Sequence, residues 1–142
     1  LPSAALEVNE AIPAYRPAAD FHRLSDYLSG SRGSDRRLVA RSRPDRYAGL
    51  YYLVTLDEPL KAIPADAEVE LSIVTSASPE PVMYRFPLPS QRPGGDEFYI
   101  GLTGTDWPHD EDDPLPVAWR IRLLDSSGNA FADHRSFVWG DR

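Results

Sequence analysis

Apolar and polar residues alternate with a period of two along most of the chain after residue 36. The clearest examples are residues 68–73 and 117–123, in which every second residue is apolar, as expected of strands with one buried face. Residues 48–56 are apolar at nearly every position, which is typical of a central strand covered on both faces. Segments rich in Pro, Gly, Asp and Ser separate about seven such strands. The pattern predicts an all-β fold, a two-sheet antiparallel sandwich over residues 36–142.

The strongest local signal is a β-hairpin at the end of the chain. A strand over 117–124 is followed by the turn Asp125-Ser-Ser-Gly-Asn129 and by a second alternating strand over 130–139. This stretch resembles the closing hairpin of immunoglobulin-like and fibronectin type III-like modules, and the resemblance covers about residues 36–140 as a pattern of strands. It implies an immunoglobulin-like sandwich, although the Cys pair of many such domains is absent. Modules of this kind are mostly adhesive, ligand-binding or spacer domains, so the resemblance implies binding rather than chemistry.

The first 35 residues do not follow the period-two pattern. Residues 1–19 contain three prolines and no apolar periodicity, and they predict an extended leader that folding does not require. Residues 20–35 predict one short helix and a loop, because Asp20 can cap a helix that Gly30 ends. The apolar face of this helix consists of Phe21, Leu24, Tyr27 and Leu28.

Composition and charge exclude several classes of function. The 142 residues contain no Cys, so thiolate nucleophiles, disulfide exchange and thiolate zinc sites are excluded. The net charge of −7 argues against a nucleic-acid partner, because phosphate binding needs a basic face. No apolar run approaches the ~20 residues of a membrane-spanning helix, so we expect no membrane span. The Arg residues between positions 23 and 46 could form a strip for a polyanion, but interleaved Asp residues favour solvated, locally paired Arg.

The chain is expected to belong to an exported bacterial protein, secreted or periplasmic. Its 15 basic residues are all Arg except Lys61, a bias typical of GC-rich bacterial genomes. It begins at Leu1 rather than Met, which is compatible with removal of a secretion signal. A composition without Cys suits a compartment outside the cytoplasm.

One acidic loop is the densest polar segment. Asp106, Asp110, Asp112 and Asp113 could supply several of the six to eight oxygen ligands that Ca²⁺ takes. Their spacing does not match an EF-hand, however, and crowded loop carboxylates are more often only solvated. We therefore expect no cofactor and keep calcium as the candidate metal.

The same loop holds the residues most suited to contact a ligand, Trp107 and His109. Trp107 stands beside Pro108 outside any alternating strand, so its ring is expected to be exposed. Trp119 and Trp139 lie in phase with apolar neighbours and are expected in the core. Tyr51 and Tyr52 are consecutive on a strand and must face opposite sides of the sheet.

No catalytic motif is present, since the sequence has neither a G-x-S-x-G elbow nor a Gly-rich phosphate loop. We expect a non-catalytic binding or assembly module with a protein or a glycan as partner. The alternative is a small hydrolase that uses a carboxylate pair, for which Asp106 and Asp110 are the candidates.

Overall fold

The computed structural model describes residues 6–17, 38–43, 45–76, 78–90, 92–107 and 114–136. Within these residues the chain forms eight strands in two four-stranded sheets. The strands are β1 (Val8–Arg16), β2 (Leu38–Arg41), β3 (Gly49–Leu56), β4 (Glu68–Thr75), β5 (Ser78–Pro87), β6 (Glu97–Thr103), β7 (Ala118–Leu124) and β8 (Ala130–Arg135). Sheet I has the order β1-β3-β6-β2, and sheet II has the order β5-β4-β7-β8. The predicted all-β, two-sheet sandwich is confirmed.

The two sheets stack so that β1 lies near β8 and β2 lies near β5. Neighbouring strands are antiparallel, with the exception of β2 and β6. Those two pair in parallel from Leu38 opposite Phe98 to Arg41 opposite Gly101. A tight hairpin cannot join parallel neighbours, and these two strands are far apart along the chain, with β3, β4 and β5 between them.

β3 is one of the two inner strands of sheet I, as the continuous apolar run predicts. Leu50, Tyr52 and Val54 are buried in the core between the sheets. Tyr51 and Leu53 lie on the opposite, outward face of sheet I, because successive side chains of a strand alternate. The expectation that Tyr51 and Tyr52 face opposite sides is confirmed.

Sheet II closes the core from the other side. Its β4 buries Val69, Leu71 and Ile73, and its β7 buries Ile121 and Leu123, which are the positions that the alternating pattern assigns to the buried face. Each such aliphatic side chain contributes about 1.5–3 kcal/mol when it is removed from water.

Two aromatic side chains connect the sheets across the core. Trp119 of β7 is partly buried against it, with its ring centroid 5.4 Å from that of Tyr52. This agrees with the core position expected for Trp119. Trp139, for which the same was expected, lies outside the described residues.

The predicted terminal hairpin is present as β7 and β8. The Asp125 carboxylate Oδ1 accepts hydrogen bonds from the backbone amides of Ser127 (2.9 Å) and Asn129 (3.0 Å). Gly128 has φ +87°, a conformation that L side chains rarely adopt, so glycine is the residue the turn requires.

The expectation of a leader outside the sandwich is wrong for residues 8–16, which form β1. This strand pairs with β3 along its whole length, and Leu6, Val8 and Ala11 are buried. The register shifts between Val8 and Glu10, so the buried positions lose a regular spacing of two. Pro13 is tolerated because β1 is an edge strand, where a missing backbone N–H need not leave a ladder bond unmade.

The short helix and loop expected over residues 20–35 lie outside the described residues. Across the ranges that the structure does describe, no helix has the length and apolar character needed to cross a membrane.

Candidate functional site

The candidate site lies at one end of sheet I, where the chain leaves β2 and β6 and enters β3. Register brings these strand ends together, because Arg41 lies opposite Gly101 and Gly101 lies opposite Tyr51. Gly49 and Thr103 form the last pair of β3 and β6. The segments 41–49 and 101–107 therefore form this end of the sandwich.

Thr103 holds the two segments together. Its hydroxyl is buried, accepts a hydrogen bond from the Arg43 amide (3.1 Å) and donates one to the Arg43 carbonyl (2.9 Å). The Thr103 amide donates to Ser42 Oγ (3.1 Å). Loss of these bonds would leave buried polar groups unpaired, which costs about 1–3 kcal/mol. Thr103 therefore fixes the path of the chain after β2.

Trp107 is buried, so the expectation of an exposed ring is wrong. Residues Gly104–Asp106 form a 3-10 helix, and the Trp107 amide donates to the Gly104 carbonyl (3.2 Å). After this turn the Trp107 side chain joins the core and keeps only 5% of its surface exposed. Periodicity could not predict this position, because a single turn after β6 has no repeating pattern that marks an inward side chain.

Asp106 is engaged in an ion pair within the site. Its Oδ2 lies 3.2 Å from Arg43 Nε, and its side chain is 18% exposed. Burial raises the pKa of Tyr84 on β5, and the negative charge of Asp106 raises it further. Asp106 is thus paired with Arg43 and acts electrostatically on Tyr84 of sheet II.

The other acidic-loop candidates lie outside the described residues. These are His109, Asp110, Asp112 and Asp113. Within the parts of the chain that are described, no group of three or more His, Cys, Asp or Glu residues could hold a metal ion. The calcium site and the Asp106 and Asp110 pair remain expectations.

Arg41, Tyr47 and Tyr51 form a cluster on the outward face of sheet I. Arg41 Nε donates a hydrogen bond to Tyr51 Oη (2.7 Å), and Tyr51 Oη donates to the Tyr47 carbonyl (2.5 Å). The Arg41 guanidinium carbon lies 4.6 Å from the centroid of the Tyr47 ring and 5.7 Å from that of Tyr51, both within cation–π range. We refer to these three residues as the arginine–tyrosine cluster.

The two tyrosines of the cluster differ in exposure. Tyr51 is 1% exposed, and burial raises the pKa of its hydroxyl, although the neighbouring Arg41 charge opposes this rise. Tyr47 is 41% exposed. The cluster therefore consists of a fixed inner tyrosine, an oriented guanidinium and an outer ring that solvent can reach.

Arg43 and Arg46 border the cluster on the side of the 3-10 helix. A β-carbon at Gly104 would lie 3.1 Å from Arg46 Cγ and 3.3 Å from Arg43 Cγ, so both stems pass close to this glycine. Arg43 is paired, but with Asp106, which is distant in the sequence, rather than with one of the Asp residues interleaved among the Arg residues.

Sequence reasoning missed the arginine–tyrosine cluster. Arg41 and Tyr47 lie on either side of the β2–β3 connection, and their contact with Tyr51 depends on the parallel pairing of β2 with β6. Alternation along single strands does not reveal which strands are neighbours. The one signal was Tyr51 itself, a large polar-tipped side chain on the second face of a strand that is apolar throughout.

The outward face of sheet II has a different character. Its charged side chains form the ion pairs Arg85–Glu68 (2.8 Å), Arg122–Glu70 (2.7 Å) and Arg120–Asp133 (2.6 Å). Cross-strand pairs of this kind are typical of a solvated sheet surface.

No protein-family model matches the chain, and neither a curated protein nor a solved structure matches it. The geometry of the described residues is therefore the basis for a proposed function.

Proposed function

We propose that the chain is a non-catalytic binding or assembly module of an exported bacterial protein, secreted or periplasmic, with a protein or a glycan as its partner. The observation that carries this proposal is the arginine–tyrosine cluster. In it the half-exposed Tyr47 ring stacks on the Arg41 guanidinium, which a hydrogen bond to Tyr51 holds in place. Aromatic and arginine side chains dominate the energetics of binding surfaces.

The cluster suits binding because its parts are held in place before a partner arrives. Arg41 is oriented by its bond to Tyr51, and Tyr51 is itself buried. Side chains that are already ordered lose little conformational entropy on association, which makes their contacts more effective. An exposed tyrosine ring offers an apolar face to a sugar or to a protein side chain, and its hydroxyl adds a hydrogen bond.

The strand order supports an immunoglobulin-like or fibronectin type III-like form of the sandwich. In such domains the strands A, B and E share one sheet and C, F and G share the other. Here β1, β3 and β6 occupy the first set of positions, and β4, β7 and β8 occupy the second. β5 extends the second sheet beside β4, as an added strand does in variable-type domains. Such modules most often bind ligands or act as spacers between other domains, which agrees with a binding role.

The experiment compares ligand binding by the full chain with that of two alanine variants. A glycan array and crosslinking to secreted proteins of the source bacterium identify ligands, whose affinities are then measured with purified components. Tyr47→Ala is expected to weaken binding at least about tenfold, because hot-spot truncations cost about 2 kcal/mol or more and each 1.4 kcal/mol is about tenfold in affinity. Leu115→Ala, which truncates another exposed apolar side chain, serves as the matched control and should leave affinity unchanged.

Two results would overturn the proposal. One is equal binding by the Tyr47→Ala variant and the wild-type chain. The other is turnover of a polysaccharide or an ester that Asp106→Asn abolishes without unfolding the domain, because this would favour the hydrolase that uses a carboxylate pair.

A further inference from the structure

Four of the described strands lie at the edges of the two sheets, β1 and β2 in sheet I and β5 and β8 in sheet II. The backbone N–H and C=O groups on the free side of an edge strand form no ladder within the sheet, so they can pair with a strand of another molecule. Proline, a bulge or a very short strand hinders such pairing. The directions of the backbone hydrogen bonds show how far each described edge is blocked.

Prolines and a bulge interrupt the free side of β5. The Leu88 amide donates to the Ala67 carbonyl, just before β4, so Leu88 faces β4. Backbone groups of successive strand residues point to opposite sides, and Pro87 therefore faces the free edge, where it offers no N–H donor. At the other end of the strand, the register with β4 shifts across the segment that contains Pro79 and Pro81. Both ends of this edge are therefore broken.

The two edges of sheet I are also hindered. Just after β3, the Asp57 amide donates to the Glu7 carbonyl, so by alternation Leu53 faces β1 and its partner Ile12 faces β3. Pro13, the next residue, therefore faces the free edge and removes a donor from the middle of it. At the opposite edge, β2 has only four residues. Neither strand presents a long, regular free side.

β8 contains no proline, and its pairing with β7 is regular from residue 132 onward. The Ser136 amide donates to the Trp119 carbonyl on β7, so Ser136 faces β7, and His134 does so by alternation. The residues that face the free edge are Asp133 and Arg135. No described strand pairs with this side of β8. We call it the open edge.

The charges of the open edge fit a second copy of the same edge in the antiparallel direction. In a pairing centred on His134, Asp133 of each copy lies opposite Arg135 of the other, and both side chains are exposed. A pairing centred on Asp133 would place two like charges opposite each other. Opposite charges at paired positions stabilise antiparallel strands, and like charges destabilise them. On β5, the free-edge residues Met83 and Arg85 offer no such complementarity.

We propose that β8 pairs antiparallel with β8 of a second copy about a two-fold axis at His134. The two copies of sheet II then form one continuous sheet, and each surface is its own partner, as a two-fold interface requires. Asp133 already accepts hydrogen bonds from Arg120 of its own chain, so Arg135 of the second copy extends an existing ion pair. The inference does not depend on the proposed function, because the arginine–tyrosine cluster lies on sheet I.

The chain contains no Cys, so a single introduced cysteine tests this register. In His134→Cys, the two copies of position 134 would form a pair without ladder hydrogen bonds, with Cα atoms about 4.5 Å apart, a distance that a disulfide can span. We expect most of this variant to form a disulfide-linked dimer under mild oxidation, measured by non-reducing electrophoresis. Met83→Cys is the matched control on the β5 edge. Although Met83 is 58% exposed, this variant should form at least tenfold less dimer.

Charge reversal provides a second test that needs no oxidation. Asp133→Arg and Arg135→Asp each place like charges at both paired positions, so each should weaken the dimer at least tenfold in analytical ultracentrifugation. An equimolar mixture of the two variants has opposite charges at both positions and should form a heterodimer about as stable as the wild-type dimer. Because a small interface gives a weak dimer, the measurements extend to about 1 mM.

Asp133→Arg also removes the ion pair with Arg120, so circular dichroism is used to verify that both variants are folded. If Asp133→Arg does not fold, Arg135→Asp and the cysteine pair of experiments decide the question.

Three results would overturn the proposal. The first is a wild-type chain that stays monomeric up to about 1 mM. The second is a dimer that charge reversal does not weaken, or that the mixture of variants does not restore, because such a dimer would use another surface. The third is slow amide exchange at Asp133 at concentrations where the chain is monomeric, because a segment of the same chain would then cover the open edge.

Discussion

The ring of Tyr51 fills the space that a side chain at Gly101 would occupy. A β-carbon at position 101 would lie 2.5 Å from Tyr51 Cε2 and 2.7 Å from Cδ2. The two residues are register partners on β3 and β6, in the middle of sheet I. Glycine at 101 is therefore what allows a large ring to lie against the outward face of the sheet, where Arg41 reaches its hydroxyl.

Gly101→Ala should destabilise the fold by about 1–3 kcal/mol, because the added methyl group meets a ring that two hydrogen bonds hold in place. Chemical denaturation measures the free energy of unfolding. Gly94→Ala is the control, because a β-carbon there meets nothing within 4 Å. In a Tyr51→Leu background the cost of Gly101→Ala should fall by at least half, and an unchanged cost would show that the ring is not the cause.

Ala11→Asp should destabilise the chain by about 2–4 kcal/mol, because it places a charge at a buried position of β1. Asn9→Asp adds the same charge to an exposed position of the same strand and should change stability by less than about 0.5 kcal/mol. Thermal unfolding of both variants provides the measurement. If the two substitutions have equal small effects, β1 contributes little to the stability of the sandwich.

The contrast between β1 and β4 shows what the sequence could predict about the fold. Val69, Leu71 and Ile73 alternate strictly with polar residues, and they are buried as predicted. β1 is no less part of its sheet, but a register shift and a proline at an edge hide its pattern. Strand identity can therefore be predicted where one face is buried regularly, and it is lost where the backbone is irregular.

The candidate site was less predictable, because it depends on contacts between distant segments. Trp107 was expected at the surface because no strand pattern surrounds it, but the preceding turn brings it into the core. Arg41 and Tyr51 meet only because β2 pairs with β6 and β6 pairs with β3. Local periodicity predicts which way a side chain faces, and pairing between strands determines what it meets.

Asp133 should contribute to stability above about pH 4 and lose this contribution at lower pH. Its hydrogen bonds from Arg120 hold the pKa of Asp133 below its usual value of 3.8, so the folded state releases this proton more readily than the unfolded state. As the pH falls, Asp133 is protonated first in the unfolded state and then in the folded state, and its contribution to stability disappears. Because both side chains are partly exposed, the effect should be only about 0.3–1 kcal/mol.

The measurement is the free energy of unfolding of wild type and Asp133→Asn at pH 7 and at pH 3. The difference between the two proteins should be present at pH 7, shrink at pH 3 and weaken in high salt. Asp66→Asn, which changes an exposed turn residue, controls for the loss of one charge. A difference that persists unchanged at pH 3 would contradict an electrostatic origin.

Tyr52→Phe should stabilise the chain by about 1 kcal/mol, because the buried Tyr52 hydroxyl has no hydrogen-bond partner within the described structure. Burial raises the pKa of this hydroxyl far above its usual value of 10, so the unfolded chain ionises first as pH rises. The wild type should therefore lose stability above about pH 10 more steeply than the variant. Denaturation at pH 7 and pH 10.5 tests both points, with Tyr15→Phe at a partly exposed ring as control. A loss of stability in Tyr52→Phe at pH 7 would indicate that the hydroxyl is satisfied.

Millimolar calcium should change the melting temperature by less than about 2 °C relative to chelator. A ligand raises this temperature only when it binds the folded state in preference to the unfolded one, and we expect little such binding here. Asp106 is the one candidate calcium ligand among the described residues, and its carboxylate is already paired with Arg43. Calcium would have to displace that guanidinium or share the carboxylate with it. Differential scanning calorimetry of wild type and Asp106→Asn, with magnesium as the control ion, measures the effect. A calcium-specific rise that Asp106→Asn removes would make the acidic loop a metal site and would show that the ion pair with Arg43 yields to the ion.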